Sequence, residues 1–227
     1  MSIFAIGDLH LSEGCNKPMD IFAGWNNYEK RIKANWTELV TPSDTVVIAG
    51  DISWGMTLEQ AKADFEFIEK LPGKKVLLKG NHDYWWSSKK KMEEFFSKNG
   101  FDSLAILHNN CIIAENIALC GTRGWMLEDT TEHDHKVTAR EEGRLILSLN
   151  EAVKTGLEPV VFLHYPPVYG DAVSGKMVDI MLKFGVKRCY YGHLHGASCR
   201  QAIEGEYLGI DFSLISADHL NFCPKSL

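Results

Sequence analysis

The side chains with the most chemistry to offer in this sequence fall in an ordered series of short blocks. Asp8 and His10 stand in Gly7-Asp8-Leu9-His10, and Asp51 follows Gly50. Asn81 and His82 stand in Gly80-Asn81-His82-Asp83, His164 stands apart, and His193 and His195 close the series in Gly192-His193-Leu194-His195. Carboxylate, amide and imidazole groups are oxygen and nitrogen donors suited to borderline or hard divalent ions: manganese, iron, zinc or nickel. No thiolate joins them, so the set does not read as a structural cysteine–zinc site. One histidine after a strand is most often a hydrogen-bonded, partly buried ring, and one Gly-Asp pair is most often a turn. The weight lies in the ordered set, which points to a shared metal site. The D-x-H and H-x-H spacings suit an extended segment, where residues i and i+2 point the same way and can reach one small volume.

Each block follows a short apolar run, and the rest of the chain alternates such runs with amphipathic stretches. Strands are expected at 3–6, 45–49, 75–79, 104–107, 111–114, 117–120, 159–163 and 187–191, and helices at 26–40, 57–70, 87–98, 138–155 and 175–184. Thr57 and Gln60 are spaced as a capping box for the second of these helices. The segments 198–203 and 207–215 read as a hairpin turning at Gly205-Glu206. The sum is an α/β fold with a parallel βαβαβ start and an antiparallel section later. In such folds ligands collect outside the carboxyl ends of the strands. Five strand exits from one sheet edge, or from two facing sheets, would converge on one cleft, and the glycines let the chain turn sharply there and approach an ion closely.

At 227 residues the chain has the length of one sizeable core, so residues 1–227 are expected to form a single domain. Lysine and arginine number 24 against 30 aspartates and glutamates, a net charge of −6. That balance disfavours sequence-independent binding of long nucleic acid, which relies on many cationic contacts to phosphates. Six cysteines show no C-x-x-C pair, and Cys111, Cys120 and Cys189 lie in apolar runs where reduced buried thiols are expected. The opening Ile3-Phe4-Ala5-Ile6 is too short for a secretory segment. No apolar run approaches the roughly 18 residues that span a membrane. A cytoplasmic protein without membrane contact is the expectation.

The five blocks resemble, in content and order, the signature of the calcineurin-like metallophosphoesterases, and the resemblance runs from Asp8 to His195. The last block, Gly192-His193-Leu194-His195, is its most specific piece. The resemblance implies a four-layer αββα sandwich, two mixed β-sheets flanked by helices with the site at the strand ends. It also implies that Asp8, His10 and His195 hold one divalent metal, that Asn81, His164 and His193 hold a second, and that Asp51 bridges the two. His82 matches the family's catalytic histidine, which lies near the leaving group without binding metal. The implied reaction is hydrolysis of a phosphate mono- or diester: a water bridging two metals becomes hydroxide near neutral pH and attacks in line, while His82 protonates or stabilises the departing oxygen. One departure stands out. The protein-phosphatase branch carries a second aspartate after its Gly-Asp block to orient the catalytic histidine, whereas Asp51 is followed here by Ile52-Ser53-Trp54. That disfavours this branch and leaves open whether Asp83 or another acid orients His82.

Outside the blocks, Arg123 in Gly121-Thr122-Arg123-Gly124-Trp125 also follows an apolar run and is a candidate phosphate clamp, because guanidinium matches phosphate geometry. Arg140 is a weaker one, more readily explained by pairing with acids on its own helix. The polar stretch 128–136, with His133 and His135, reads as an exposed substrate loop or lid. Trp54, Trp85, Trp86 and Trp125 lie beside the blocks and can pack in the core or stack on a base. A small phosphate ester is the leading substrate. A nuclease acting on short nucleic acid is the alternative enzyme, without a basic stripe to support it. A non-catalytic scaffold that binds protein is the third reading; such a chain should first lose His82 or the bridging acid, and both are present.

Overall fold

The structure, a computed structural model, describes residues 1–125, 132–170, 172–173 and 175–227. The first half is a repeating strand–helix unit. β1 (Ile3–Ile6), β2 (Thr45–Ala49), β3 (Lys74–Leu78) and β4 (Leu104–Ile106) pair in parallel, joined through α1 (Tyr28–Leu39), α2 (Lys62–Glu69) and α3 (Lys89–Asn99). The second half supplies β5 (Ile112–Ala114), β6 (Ile117–Thr122), α4 (Glu132–Thr155), β7 (Glu158–Leu163), a small ribbon of β8 (Val168–Tyr169) and β9 (Ala172–Val173), and α5 (Gly175–Lys183). β10 (Arg188–Tyr191), β11 (Gly205–Tyr207), β12 (Ile210–Leu214) and β13 (Lys225–Ser226) complete it. One sheet has the order β13-β1-β2-β3-β4, and the other β11-β12-β10-β7-β6-β5. Both are mixed: β13 runs antiparallel at the edge of the first, and β5 and β11 do so at the two edges of the second.

The strands are apolar on both faces because both faces are covered. In β1, Phe4 and Ile6 pack with Ile32 and Trp36 of α1, Phe65 of α2 and Phe96 of α3. The alternate residues Ile3 and Ala5 meet Val160 and Phe162 of β7 and Tyr190 of β10 across the gap between the sheets. The outer face of the second sheet, with Val161, Leu163, Cys189 and Phe212, packs on Leu145 and Leu149 of α4 and Met177 and Met181 of α5. Helices, sheet, sheet and helices therefore form four layers, the expected α/β sandwich.

Three local expectations are corrected. α4 begins at Glu132, not at residue 138, so residues 132–136 of the polar stretch are its first turns, with Glu132 and Lys136 paired at 2.7 Å. Residues 128–131 and the side chain of His133 lie outside the described residues. The segment expected as a strand at 198–203 is a 3₁₀ turn over Gly196–Gln201. The hairpin is instead β11–β12, pairing Tyr207 with Ile210 so that the chain reverses at Leu208-Gly209. The capping-box pair forms only half as expected. Gln60 N donates to Thr57 Oγ1, but the Gln60 side chain reaches Met56 N, and α2 starts at Lys62 after a turn.

Candidate metal centre

All five blocks leave the carboxyl ends of parallel strands, three from the first sheet and two from the second. The sheets meet there: Gly7 N donates to Ile215 O, just beyond β12, at 2.6 Å. Asp8 and His10 come from β1, Asp51 from β2, Asn81, His82 and Asp83 from β3, His164 from β7, and His193 and His195 from β10.

Two groups of donors result. Asp8, His10 and His195 offer ligand atoms within 4.8 Å of one another, and so do Asp51, His164 and His193. Asn81 joins the second group, its Oδ1 lying 2.6 Å from His164 Nε2. Asp51 faces both groups: its Oδ2 is 3.5 Å from His164 Nε2 and 3.8 Å from His10 Nε2. Asp8, His10, Asp51 and His164 are buried, whereas Asn81, His193 and His195 are partly open.

The spacing argument holds only in part. Asp8 and His10 do reach one group, but through left-handed backbone at both residues (φ 58° and 47°) rather than an extended segment. His193 is also left-handed (φ 74°), so the H-x-H pair splits, His193 to one group and His195 to the other. Two glycines are required by close approach. A Cβ on Gly80 would collide with the backbone nitrogen and Oδ1 of Asp51, and one on Gly192 with Oδ2 of Asp8.

Hydrogen bonds fix which ring nitrogens are available. His164 Nδ1 lies 3.1 Å from the carbonyl of Ala49, which can only accept, so Nδ1–H donates and Nε2 presents a lone pair toward Asn81 and His193. His195 Nδ1 donates in the same way to Asp218 Oδ1 at 2.8 Å, turning Nε2 toward His10 Nε2 at 3.2 Å. Asp218 Oδ2 also accepts from Gly196 N at 2.9 Å. Nothing in the five blocks signalled Asp218. It leaves β12 as the metal-capable residues leave their own strands, so the strand-exit rule applied once more to 207–215 would have found it.

The electrostatics favour cations. Burial alone would raise the Asp8 pKa, but the His195 hydrogen bond and the surrounding imidazoles hold it well below the carboxylate range. Burial, reinforced by the Asp8 charge, pushes Asp51 up to about 8. Burial also depresses His10 to about 3 and His193 to about 4, keeping both rings neutral. Burial works against protonated His195 as well, yet Asp218 and Asp8 raise it to about 10, making it the most basic imidazole of the set. Two buried carboxylates in conflict, an amide oxygen and four imidazoles with ring nitrogens turned inward fit a pair of divalent cations, which would relieve the conflict and displace the proton from His195.

His82 stands at the rim, its Nε2 4.0 Å from Asp51 Oδ2, its ring against Trp54 at a centroid distance of 4.3 Å, and its side chain 34% exposed. Its buried Nδ1 has no hydrogen-bond partner among the described residues. Asp83 does not orient it. That carboxylate accepts from Ile52 N, Trp85 Nε1 and Gly80 N at 2.8, 3.1 and 2.7 Å, and ties the β2 and β3 exits together. The β6 exit lies alongside, with Arg123 O accepting from His164 N at 3.1 Å. The Arg123 guanidinium is held 3.7 Å from buried Glu141 and lies over Trp125, although its Nε has no partner among the described residues. Trp85 is core, packed on Phe65, whereas Trp54 stacks on His10.

A family model described as calcineurin-like phosphoesterase matches residues 1–197. An uncharacterised protein of Methanocaldococcus jannaschii is 25% identical over 186 residues, covering 78% of this chain and 94% of that one. Among solved structures, a protein of unknown function from Aquifex aeolicus superposes with a TM-score of 0.54 at 16% identity, covering 99% of this chain and 95% of that one. A phosphopantetheinyl hydrolase from Mycobacterium tuberculosis does so with 0.53 at 12% identity, covering 100% and 95%. At these identities the two structures share the fold.

Proposed function

We propose, from the premise that this chain belongs to the calcineurin-like phosphoesterase family, that residues 1–227 act as one domain that hydrolyses small phosphate mono- or diesters. The family and the two donor groups support metal-dependent phosphoester hydrolysis in general. The observation that carries the specific reading is the two-sided placement of Asp51, whose Oδ2 faces His164 of one donor group and His10 of the other. Asp8, His10 and His195 would hold one cation, and Asn81, His164 and His193 the other, with Asp51 shared. Two bound divalent cations supply Lewis-acid polarisation of the phosphoryl group and acidification of water.

The chain's own residues do the rest. Asp51 Oδ1 accepts from His82 N at 2.7 Å, so the shared ligand also places the histidine. His82, at the rim with its ring tilted against Trp54, hands a proton to the departing oxygen. Arg123, at the neighbouring strand exit, is the candidate to contact a phosphate oxygen. Among the described residues no helix is long and apolar enough to cross a membrane. Six free cysteines suit a reducing compartment such as the cytoplasm.

The test pairs two substitutions with manganese and a panel of p-nitrophenyl phosphate and bis-p-nitrophenyl phosphate. Asp51→Ala should abolish activity and lower metal content at both positions. His82→Ala should retain the metals and lose roughly 10²–10⁴ in rate, the range for acid–base assistance. Equal metal loss in the two variants refutes the assignment of roles, and a metal-replete wild-type chain inactive on the whole panel refutes the reading itself.

A further inference from the structure

A cavity of about 390 Å³ opens directly onto the His82 side of the metal centre. Its metal-facing wall is His10, His82 and His195, with Gly196 and the Asp218 carboxylate behind His195, and the rest is apolar: Met19, Phe22, Ala23, Trp25 and Trp54. Met19 and Phe22 come from the segment between β1 and α1, so a part of the chain outside all five blocks builds the far wall. Trp25 is 3% exposed and braced edge-on by Tyr28 and Phe222, which makes it a fixed surface. Phe22 is 53% exposed at the lip. Two buried nitrogens on these walls, Trp54 Nε1 and His82 Nδ1, lack a hydrogen-bond partner among the described residues.

We infer that the substrate is a phosphoester whose organic group beside His82 is a planar aromatic or comparably apolar moiety, not the polyol of a sugar phosphate. The inference rests on the proposed phosphoesterase reading and deepens it. A group seated between Trp25, Trp54 and Phe22 leaves water for aromatic surface, while a polyol would leave its hydroxyls facing walls whose one carboxylate, Asp218, is already engaged by His195 and Gly196. The volume sits near the lower end of small-molecule sites, about 300–1,000 Å³, enough for a ring system and a short linker. Because His10 and His195 of one donor group line the cavity together with His82, a guest held there keeps its ester oxygen beside His82. Its binding can then be expressed in kcat/KM.

The experiment uses the full chain loaded with manganese. Phenylphosphonate, which cannot be hydrolysed, should quench the tryptophan emission and bind at least about tenfold more tightly than methylphosphonate, as burial of one ring predicts. In parallel, kcat/KM for 2-phenylethyl phosphate should exceed that for ethyl phosphate, a pair with similar primary alkoxide leaving groups. Phe22→Ser, at an exposed position that leaves the core intact, should shrink both ratios. Equal affinity for the two phosphonates, or ratios unmoved by Phe22→Ser, overturns the inference. Preference for phenylphosphonate with no cleavage of these esters or of the p-nitrophenyl panel leaves the pocket standing and removes the catalytic reading instead.

Discussion

Asp218 touches no proposed metal position, yet the structure makes it a support for one of them. Its Oδ1 accepts from His195 Nδ1 at 2.8 Å and its Oδ2 from Gly196 N at 2.9 Å. The first bond fixes the tautomer that leaves Nε2 free to bind, and the second fixes the backbone that carries the ring. Asp218→Ala removes both. Loss of such an outer partner costs about 10–100-fold in metal affinity, which corresponds to roughly 1.4–2.7 kcal/mol. That agrees with the loss of one hydrogen bond to a charged acceptor, about 1.5–3 kcal/mol. The whole effect should fall on the Asp8–His10–His195 position, because His164 is oriented independently by Ala49 O. Asp218→Asn keeps an acceptor for His195 but sets an amide N–H₂ against Gly196 N–H, so it should land between wild type and alanine. Calorimetric titration of the metal-free chain with manganese resolves the two positions, and circular dichroism checks the fold. Affinity within about twofold of wild type in Asp218→Ala, or equal weakening at both positions, would refute the orienting role.

Three further outcomes are expected. Asp83→Ala leaves the donors of Ile52, Gly80 and Trp85 without their acceptor in a fully buried place, and should cost more than about 3 kcal/mol in urea unfolding at one to three per orphaned donor. Lys75 is buried in β3, donating to Leu71 O and Ser103 Oγ, and burial lowers its pKa to about 8. Its unfolded form therefore binds the proton more tightly, so its cost to folding is fully present below pH 8 and is relieved as pH rises toward 10.5, by at most about 3 kcal/mol. Lys75→Met should abolish that part of the pH dependence of stability, and an unchanged profile would show the lysine to be solvated. Arg123→Ala should raise KM for a phosphate ester several-fold with kcat nearly constant if the guanidinium leaves Glu141 for substrate; a fall in thermal stability with KM unchanged would show its partner to be Glu141 alone.

The positions of the chemistry were legible because four of the five blocks end an apolar run with Gly-Asp, Gly-Asn or Gly-His and the other, His164, follows the run directly, an ordered set that isolated turns do not produce. The sandwich and its layers followed from the family resemblance, whereas the residue pattern alone gave an α/β fold with one sheet or two. What escaped has identifiable causes. Residues 132–137 carry charge without an apolar stripe, so they looked like loop, but α4 takes them up and pairs Glu132 with Lys136 one turn on. Gly196–Gln201 has the length of a short strand and no period to distinguish it from a 3₁₀ turn. Asp218 follows β12 in Ala217-Asp218-His219 with no glycine before it. The spacing argument put His193 and His195 together, whereas the family resemblance already implied their split, which depends on one backbone angle that composition does not encode.

That angle belongs to a wider pattern. Asp8, His10, Asp51 and His193 all adopt left-handed backbone, each at a cost of order 1–3 kcal/mol that surrounding structure must over-determine. The loops do so by binding each other. Asp8 N donates to Gly50 O and His10 N to Asp51 O, both at 2.9 Å, which straps the β1 exit to the β2 exit. His193 N donates to the Asp8 carboxylate at 2.9 Å, strapping the second sheet to the first. His82 N donates to Asp51 Oδ1 at 2.7 Å, strapping the β3 exit to β2. Each proposed carboxylate ligand thus receives a backbone N–H from a different strand exit while remaining within reach of the ring nitrogens. The carboxylates are therefore the fasteners of the strained loops as well as the proposed donors to metal. Asp51→Ala should loosen the Asn81-His82 turn even in the metal-free chain, which faster amide exchange at His82 would register; exchange there as slow as in wild type would mean that strand pairing alone holds the turn.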